Sequence, residues 1–146
     1  MRLSTQADYA VRCVYELARH PVGTVVQTRE IALAHDVPES YLVKVVQALA
    51  RAGLVRTVRG NQGGVMLVRP PEEVTVLEVC EAVEGPIEFH RCALRGHSCG
   101  DGVCPTHDFW EHIETVLRQE LAQASFASLV ERTLGSERAA ATSMRR

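Results

Sequence analysis

The sequence predicts a mainly α-helical fold with one small β-hairpin: a winged helix-turn-helix domain plus a long dimerisation helix. Three observations predict it. Apolar residues recur at helical spacing through the first fifty positions, two β-rich runs then flank a glycine-rich turn, and a long apolar stripe returns near the C-terminus.

Ser4 is placed to cap a first helix reaching about residue 20, with Ala10, Cys13, Val14, Leu17 and Ala18 on one stripe. Pro21 and Gly23 end it. Thr28 is expected to cap a short second helix carrying Ile31, Ala32 and Ala34. A third helix begins near Pro38, a residue suited to a first turn, and buries Leu42, Val45, Val46 and Leu49 before Gly53 closes it. Two short helices joined by a tight turn read as helix-turn-helix. On the third helix Ser40, Tyr41, Val43, Lys44, Gln47 and Arg51 fall away from the buried stripe. Their hydroxyl, amide and cationic groups are the mixture a helix needs in the major groove of DNA. A single solvated helix face offers the same mixture, so this face alone decides nothing.

The next segment of the chain tips the balance. "LVRTVRGNQGGVMLV" is a hairpin with Gly60, Gly63 and Gly64 at its tip, and Arg56, Arg59 and Arg69 make it basic. A hairpin directly after a helix-turn-helix is a wing, and arginine at a wing tip suits a minor groove or a phosphate. The candidate DNA-contacting set is therefore Ser40, Tyr41, Lys44, Gln47, Arg51, Arg56, Arg59 and Gly60. For the glycines, turn geometry is the main expected role.

Thr75 and Glu78 form a capping-box pair that opens a fourth helix with Val76, Val79, Cys80 and Val83 on one stripe. Residues 85–104 show no period. The longest helix then runs from Thr106 to about residue 122, with Trp110, Ile113, Leu117 and Leu121 along one side. Pairing with a second copy and packing on its own domain both suit that stripe. A last short helix carries Phe126, Leu129 and Val130, and "GSERAAATSMRR" reads as a loose tail. The expected division is a DNA-binding domain over 1–84, a cysteine loop over 85–105, a dimerisation helix and short helix over 106–134, and a flexible tail over 135–146.

Composition narrows the class. Apolar residues make up 46% of the chain, enough for a core, while aromatics at 5% point to packing built from Leu, Val and Ala. No apolar run approaches the roughly 18 residues of a membrane span. Arg2, Asp8 and Arg12 interrupt the region where a signal peptide would be apolar, so a cytoplasmic protein without a membrane partner is expected. Residues 1–70 carry nine Arg/Lys against five Asp/Glu, and residues 71–146 carry seven against thirteen. The front half can therefore approach a polyanion, which argues against a purely protein-binding module. No Cys-x-x-Cys pair is present and nothing resembles a substrate site, so catalytic residues and an enzymatic role are not expected.

The stretch "HRCALRGHSCGDGVCPTH" concentrates Cys92, Cys99 and Cys104 on a glycine-bearing segment. In a reducing compartment such thiols read as metal ligands or redox centres rather than disulfides. Their spacing is wider than in zinc knuckles, and an iron–sulfur cluster fits it. The fourth ligand is open among His107, His97, His90 and a carboxylate from elsewhere. Zinc closed by His107, or a thiol–disulfide switch, are the alternatives. Cys13 and Cys80 lie on apolar stripes and read as buried structural thiols.

"MRLSTQADYAVRCVYELA", "VPESYLVKVVQALARAGLVRTVRGNQGGVML", the three-cysteine loop and "SFASLV" together resemble the Rrf-type family of IscR- and NsrR-like transcription regulators, over residues 1 to about 134. The "VRG…GG" wing and the three cysteines are the most specific parts. The resemblance implies a homodimer on a palindromic double-stranded operator, contacting it through the third helix and the wing. It implies a long helix at the dimer interface and a [4Fe-4S] or [2Fe-2S] cluster on the three cysteines. In the nitric-oxide-sensing branch the fourth ligand is an aspartate of the partner subunit, and Asp8 in "ADYAVR" matches it. In the cluster-biogenesis branch it is a histidine three residues after the last cysteine, and His107 matches that. Asp8, and with it [4Fe-4S], is preferred. The function so implied is a repressor whose operator binding follows nitric oxide, redox state or iron–sulfur supply.

Overall fold

The structure, a computed structural model, describes residues 4–88 and 106–143, with side chains described to residue 136. Among the described residues six helices and one hairpin occur in the order α1 (Thr5–Ala18), α2 (Thr28–His35), α3 (Glu39–Arg51), β1 (Val55–Val58), β2 (Gly64–Leu67), α4 (Val76–Glu84), α5 (His107–Gln123) and α6 (Phe126–Ser143). This is a winged helix-turn-helix, as the sequence predicts.

Local chemistry sets the boundaries. Ser4 caps α1 by accepting from the Ala7 amide at 3.1 Å. Thr28 is the first residue of α2 rather than its cap; Gln27 is the cap, and the Glu30 carboxylate accepts from its amide at 3.4 Å. The helix-turn-helix corner turns at Asp36, which takes the left-handed conformation (φ 52°) that a short polar side chain tolerates. The Val37 amide then returns to the Ala32 carbonyl at 2.9 Å. Pro38 stands at the cap of α3, one residue ahead of its first turn.

The core forms where the apolar faces of α1, α2, α3, α4 and the hairpin meet. Ala10, Cys13, Val14, Ile31, Leu42, Val45, Leu49, Val65, Val74, Val79 and Phe126 are all but fully buried. The hairpin pairs Val55 with Leu67 and Val58 with Gly64. Val26, in the connection between α1 and α2, adds a bridge to Val65 through amide–carbonyl bonds of 2.9 and 2.8 Å. The wing is thus anchored to the front of the domain as well as to α3. A second bridge, Thr75 to Ser125, brings the start of α6 back to the start of α4, and seats Phe126 in the core.

The Thr75–Glu78 capping box is present and has a third member. Thr75 Oγ1 accepts from the Glu78 amide, the Glu78 carboxylate accepts from the Thr75 amide at 3.0 Å, and Arg69 donates to Glu78 at 2.7 Å. Burial pushes the Glu78 carboxyl up, but the Thr75 amide and the Arg69 guanidinium outweigh it and hold it below the ordinary glutamate value of 4.5. A carboxyl depressed in the folded state contributes stability above its unfolded pKa and loses it as the pH falls through its folded value. Glu78→Gln is therefore expected to unfold more readily at neutral pH and to show a shallower loss of stability below about pH 4.5, measured by urea titration across that range.

The expected short last helix and loose tail are not what forms. α6 continues through Gly135 to Ser143. Gly135 is not among the glycines with positive φ, so it imposes no turn, and Ala139, Ala140 and Ala141 favour the helical backbone beyond it.

Candidate nucleic-acid interface and metal-ligating residues

Where the N-terminus of α2, the exposed face of α3 and the wing converge they leave an open cleft of about 630 Å³. From α3 it takes Glu39, Val43, Val46 and Gln47; from the wing Arg59, Gly60 and Asn61; from α2 Thr28 and Arg29. Arginines thus enter it from two different elements. Gln47, Arg59 and Gly60 of the expected set are brought together here, while Ser40, Lys44 and Arg51 are exposed on α3 but do not line the cleft.

Two expectations need correction. Tyr41 does not fall away from the buried stripe: it is half-buried against α1, its ring edge-on to Tyr9 with centroids 5.3 Å apart. Its neighbours one and two turns on, Val45 and Ala48, are buried, so helical spacing already assigned it to the inner side. Arg69 is ion-paired to Glu78 and adds no unpaired charge to the wing. Arg56 lines a different depression, with Ala50, Gly53 and Val68. The sequence reading missed Thr28, Arg29, Glu39 and Asn61. The available signal was a basic residue in the first turn of the second helix, which a winged fold places beside the third.

The wing glycines do more than shape a turn. A Cβ on Gly64 would lie 2.2 Å from the Val26 carbonyl oxygen, and one on Gly63 would lie 2.3 Å from that of Val58. Only a residue without a side chain lets those backbones meet.

Cys92, Cys99 and Cys104, with His90 and His97, lie outside the described residues. The two candidates for a fourth ligand lie within them. Asp8, in the first turn of α1, is ion-paired at 2.9 Å to Arg12 one turn later, and both side chains are nearly half exposed. It lines a second open depression, with Ser4, Tyr9, His35 and Asp36. Arg12 also donates to the His35 carbonyl at 3.4 Å, at the end of α2. His107 opens α5, exposed, with its Nε2 3.8 Å from the Glu111 carboxylate. His107, Asp108 and Glu111 hold ligand-type atoms within 4.8 Å of one another.

The remaining cysteines are buried. Cys13 is fully enclosed, and desolvation pushes its thiol up to about 12. Burial also raises the Cys80 thiol, helped by Glu84 and Glu81. A thiolate is the reactive form, so native protein is expected to leave both unlabelled by iodoacetamide at pH 8, with labelling appearing only in denaturant, as mass spectrometry of the alkylated peptides would show.

α5 buries no residue, although Phe109, Trp110, Ile113, Val116, Leu117 and Leu121 are spaced along it. Phe109 is 57% exposed. The helix is tied to α4 by an Arg118–Glu81 ion pair. Among the described residues no helix is long and apolar enough to cross a membrane.

A winged helix-turn-helix with arginines lining the cleft beside its third helix defines a DNA-binding transcription regulator. The chain belongs to the Rrf2 family, described as iron-dependent transcriptional regulators, which it matches over residues 3–132. It is 34% identical over 132 residues to a Mycobacterium tuberculosis protein whose name places it among the HTH-type transcriptional regulators, covering 88% of this chain and 81% of that one. Among solved structures it is similar to CymR (YrzC), the global cysteine regulator of Bacillus subtilis, with a TM-score of 0.76 at 25% identity over 90% of this chain and 98% of that one. It is also similar to T. potens IscR, with a TM-score of 0.72 at 27% identity over 91% of this chain and 88% of that one.

Proposed function

We propose that this transcription regulator is a homodimeric repressor of a palindromic operator, and that an iron–sulfur cluster on Cys92, Cys99 and Cys104 controls its DNA affinity. The donor set carries the reading. Three thiols fall in one segment between α4 and α5, and both candidates for the fourth position, the Asp8 carboxylate and the His107 imidazole, are accessible to solvent rather than absorbed into the core. Soft thiolates with one harder donor suit iron–sulfur chemistry better than a closed zinc site at this spacing. When bound, the cluster supplies redox-responsive iron sensitive to nitric oxide, oxygen and iron supply.

The protein's own groups have separate tasks. Asp8, preferred as the ligand given to the partner subunit, is held by Arg12 until it is needed, so ligation exchanges one charge-assisted contact for another. The unburied apolar residues of α5 suit pairing with a second copy, which would place two recognition helices on one duplex. Gln47, with Ser40, Lys44 and Arg51, meets the major groove, while Arg59 and Gly60 meet the backbone or minor groove.

An absorption spectrum of protein purified without air, with iron and sulfide assayed, tests the cofactor. About four irons per chain with a broad visible band supports the preferred [4Fe-4S] form, and about two with a structured spectrum supports [2Fe-2S]. Colourless protein holding zinc after attempted reconstitution would remove the cluster. A thiol–disulfide switch on the same cysteines is the second reading, favoured by the similarity to a Staphylococcus aureus CymR solved in an oxidized form.

A further inference from the structure

The chemistry that α3 presents to the cleft points to the kind of base pair it selects. Of the four α3 residues lining the cleft none is basic; Lys44 and Arg51 are exposed on α3 outside it. Val43 is 45% exposed, an apolar side chain on a face that otherwise carries polar groups. A valine contributes nothing to the hydration of that face and no hydrogen bond to any base edge. The apolar feature it can meet in a major groove is the C5-methyl group of thymine. One turn later Gln47 offers a carboxamide, whose acceptor and donor match the N6 amino group and N7 of adenine. The two residues are four apart, about 6 Å along the helix axis, which spans roughly two base-pair steps. Glu39, a turn before Val43, repels phosphate, and so leaves the DNA backbone to Arg29 and Arg59 in the same cleft.

We infer that Val43 and Gln47 are specificity-determining residues that select A·T pairs, with Val43 against a thymine methyl and Gln47 on an adenine within about two base pairs of it. The inference rests on the DNA-binding reading and adds the base chemistry to it.

The test begins with a duplex selected from a random-sequence pool by the full-length wild-type protein. Each thymine in that duplex is then replaced singly by deoxyuridine, which lacks only the methyl group, and each adenine by 7-deazaadenine, which lacks only N7. At one thymine, deoxyuridine is expected to weaken wild-type binding about fourfold, the worth of one buried methyl group, and to leave Val43→Ala unaffected. At a neighbouring adenine, the deaza base is expected to weaken wild type about tenfold and to leave Gln47→Ala unaffected. Both side chains are exposed, so the variants should melt with wild type; Val43→Ser, which keeps no methyl, serves if Val43→Ala does not. Wild-type binding that ignores both substitutions everywhere would overturn the inference while leaving the DNA-binding reading intact. A pool from which no sequence is enriched would overturn sequence readout, and the inference with it.

Discussion

Gly64→Ala is expected to destabilise the protein by about 3 kcal/mol, roughly 10 °C in Tm, and to weaken DNA binding with it. The cause is steric and backbone-deep. Gly64 opens β2 opposite Val58, and the new methyl carbon would lie 2.2 Å from the Val26 carbonyl oxygen and 2.7 Å from its carbonyl carbon. A flexible side chain could move away at little cost, but these are main-chain atoms. They are held because Val26 and Val65 exchange two hydrogen bonds, and because Val26 and Val65 are themselves buried. Relief requires the wing to separate from the α1–α2 connection, which breaks those bonds and opens the core at Val65. The same separation carries Arg59 and Gly60 away from α3, so operator affinity falls even where the variant is folded. Thermal melts by circular dichroism and a duplex-binding titration check both parts. An unchanged melting temperature would show that the wing does not depend on this contact.

That contact also marks the limit of what the sequence made legible. Patterns confined to one element were readable: the α1 stripe from Ala10 to Leu17, the buried side of α3, the Thr75–Glu78 box, and two β-rich runs around a glycine turn. Each is decided by residues within a few positions of one another. The role of Gly64 was not readable, because its crowding comes from Val26, nearly forty residues earlier. Arg69 counted as free charge until the fold placed Glu78 beside it. Arg29 lay in a different helix from the recognition face, and only the packing of α2 beside α3 and the wing puts it in the cleft. Tyr41 is the opposite case, since its spacing to Val45 and Ala48 already assigned it inward. The extent of α6 was missed because the segment from Gly135 reads as a loose tail, although Gly135 has no positive φ and does not end the helix.

Under the proposed cluster control, loaded protein is expected to bind its selected duplex about 5–150-fold more tightly than the same protein stripped by chelator, a coupling of about 1–3 kcal/mol. The route is visible on both sides of the cysteine segment. α4 precedes it and packs on α1 and α3, so any displacement of α4 reaches the recognition helix directly. α5 comes after it and is fastened to α4 by the Arg118–Glu81 ion pair, while the same Glu81 oxygen accepts the Ile87 amide at 3.4 Å. One carboxylate thus ties together the helix before the cysteines, the chain leaving that helix, and the helix after them. In the proposed homodimer, two half-sites about one helical turn apart, near 34 Å, would tolerate little change in the spacing of two recognition helices, so a small shift at α4 in both subunits would be read as affinity. Cys99→Ala is then expected to bind DNA as stripped wild type does under either preparation. Asp8→Ala should match it if Asp8 is the fourth ligand, and His107→Ala should match it instead if the imidazole is. Fluorescence anisotropy at fixed salt reads all four proteins, since phosphate contacts make affinity steeply salt-dependent. Equal affinity of the loaded and stripped wild type would remove the cluster from control of binding, and would leave the thiols themselves as the site to examine by oxidation.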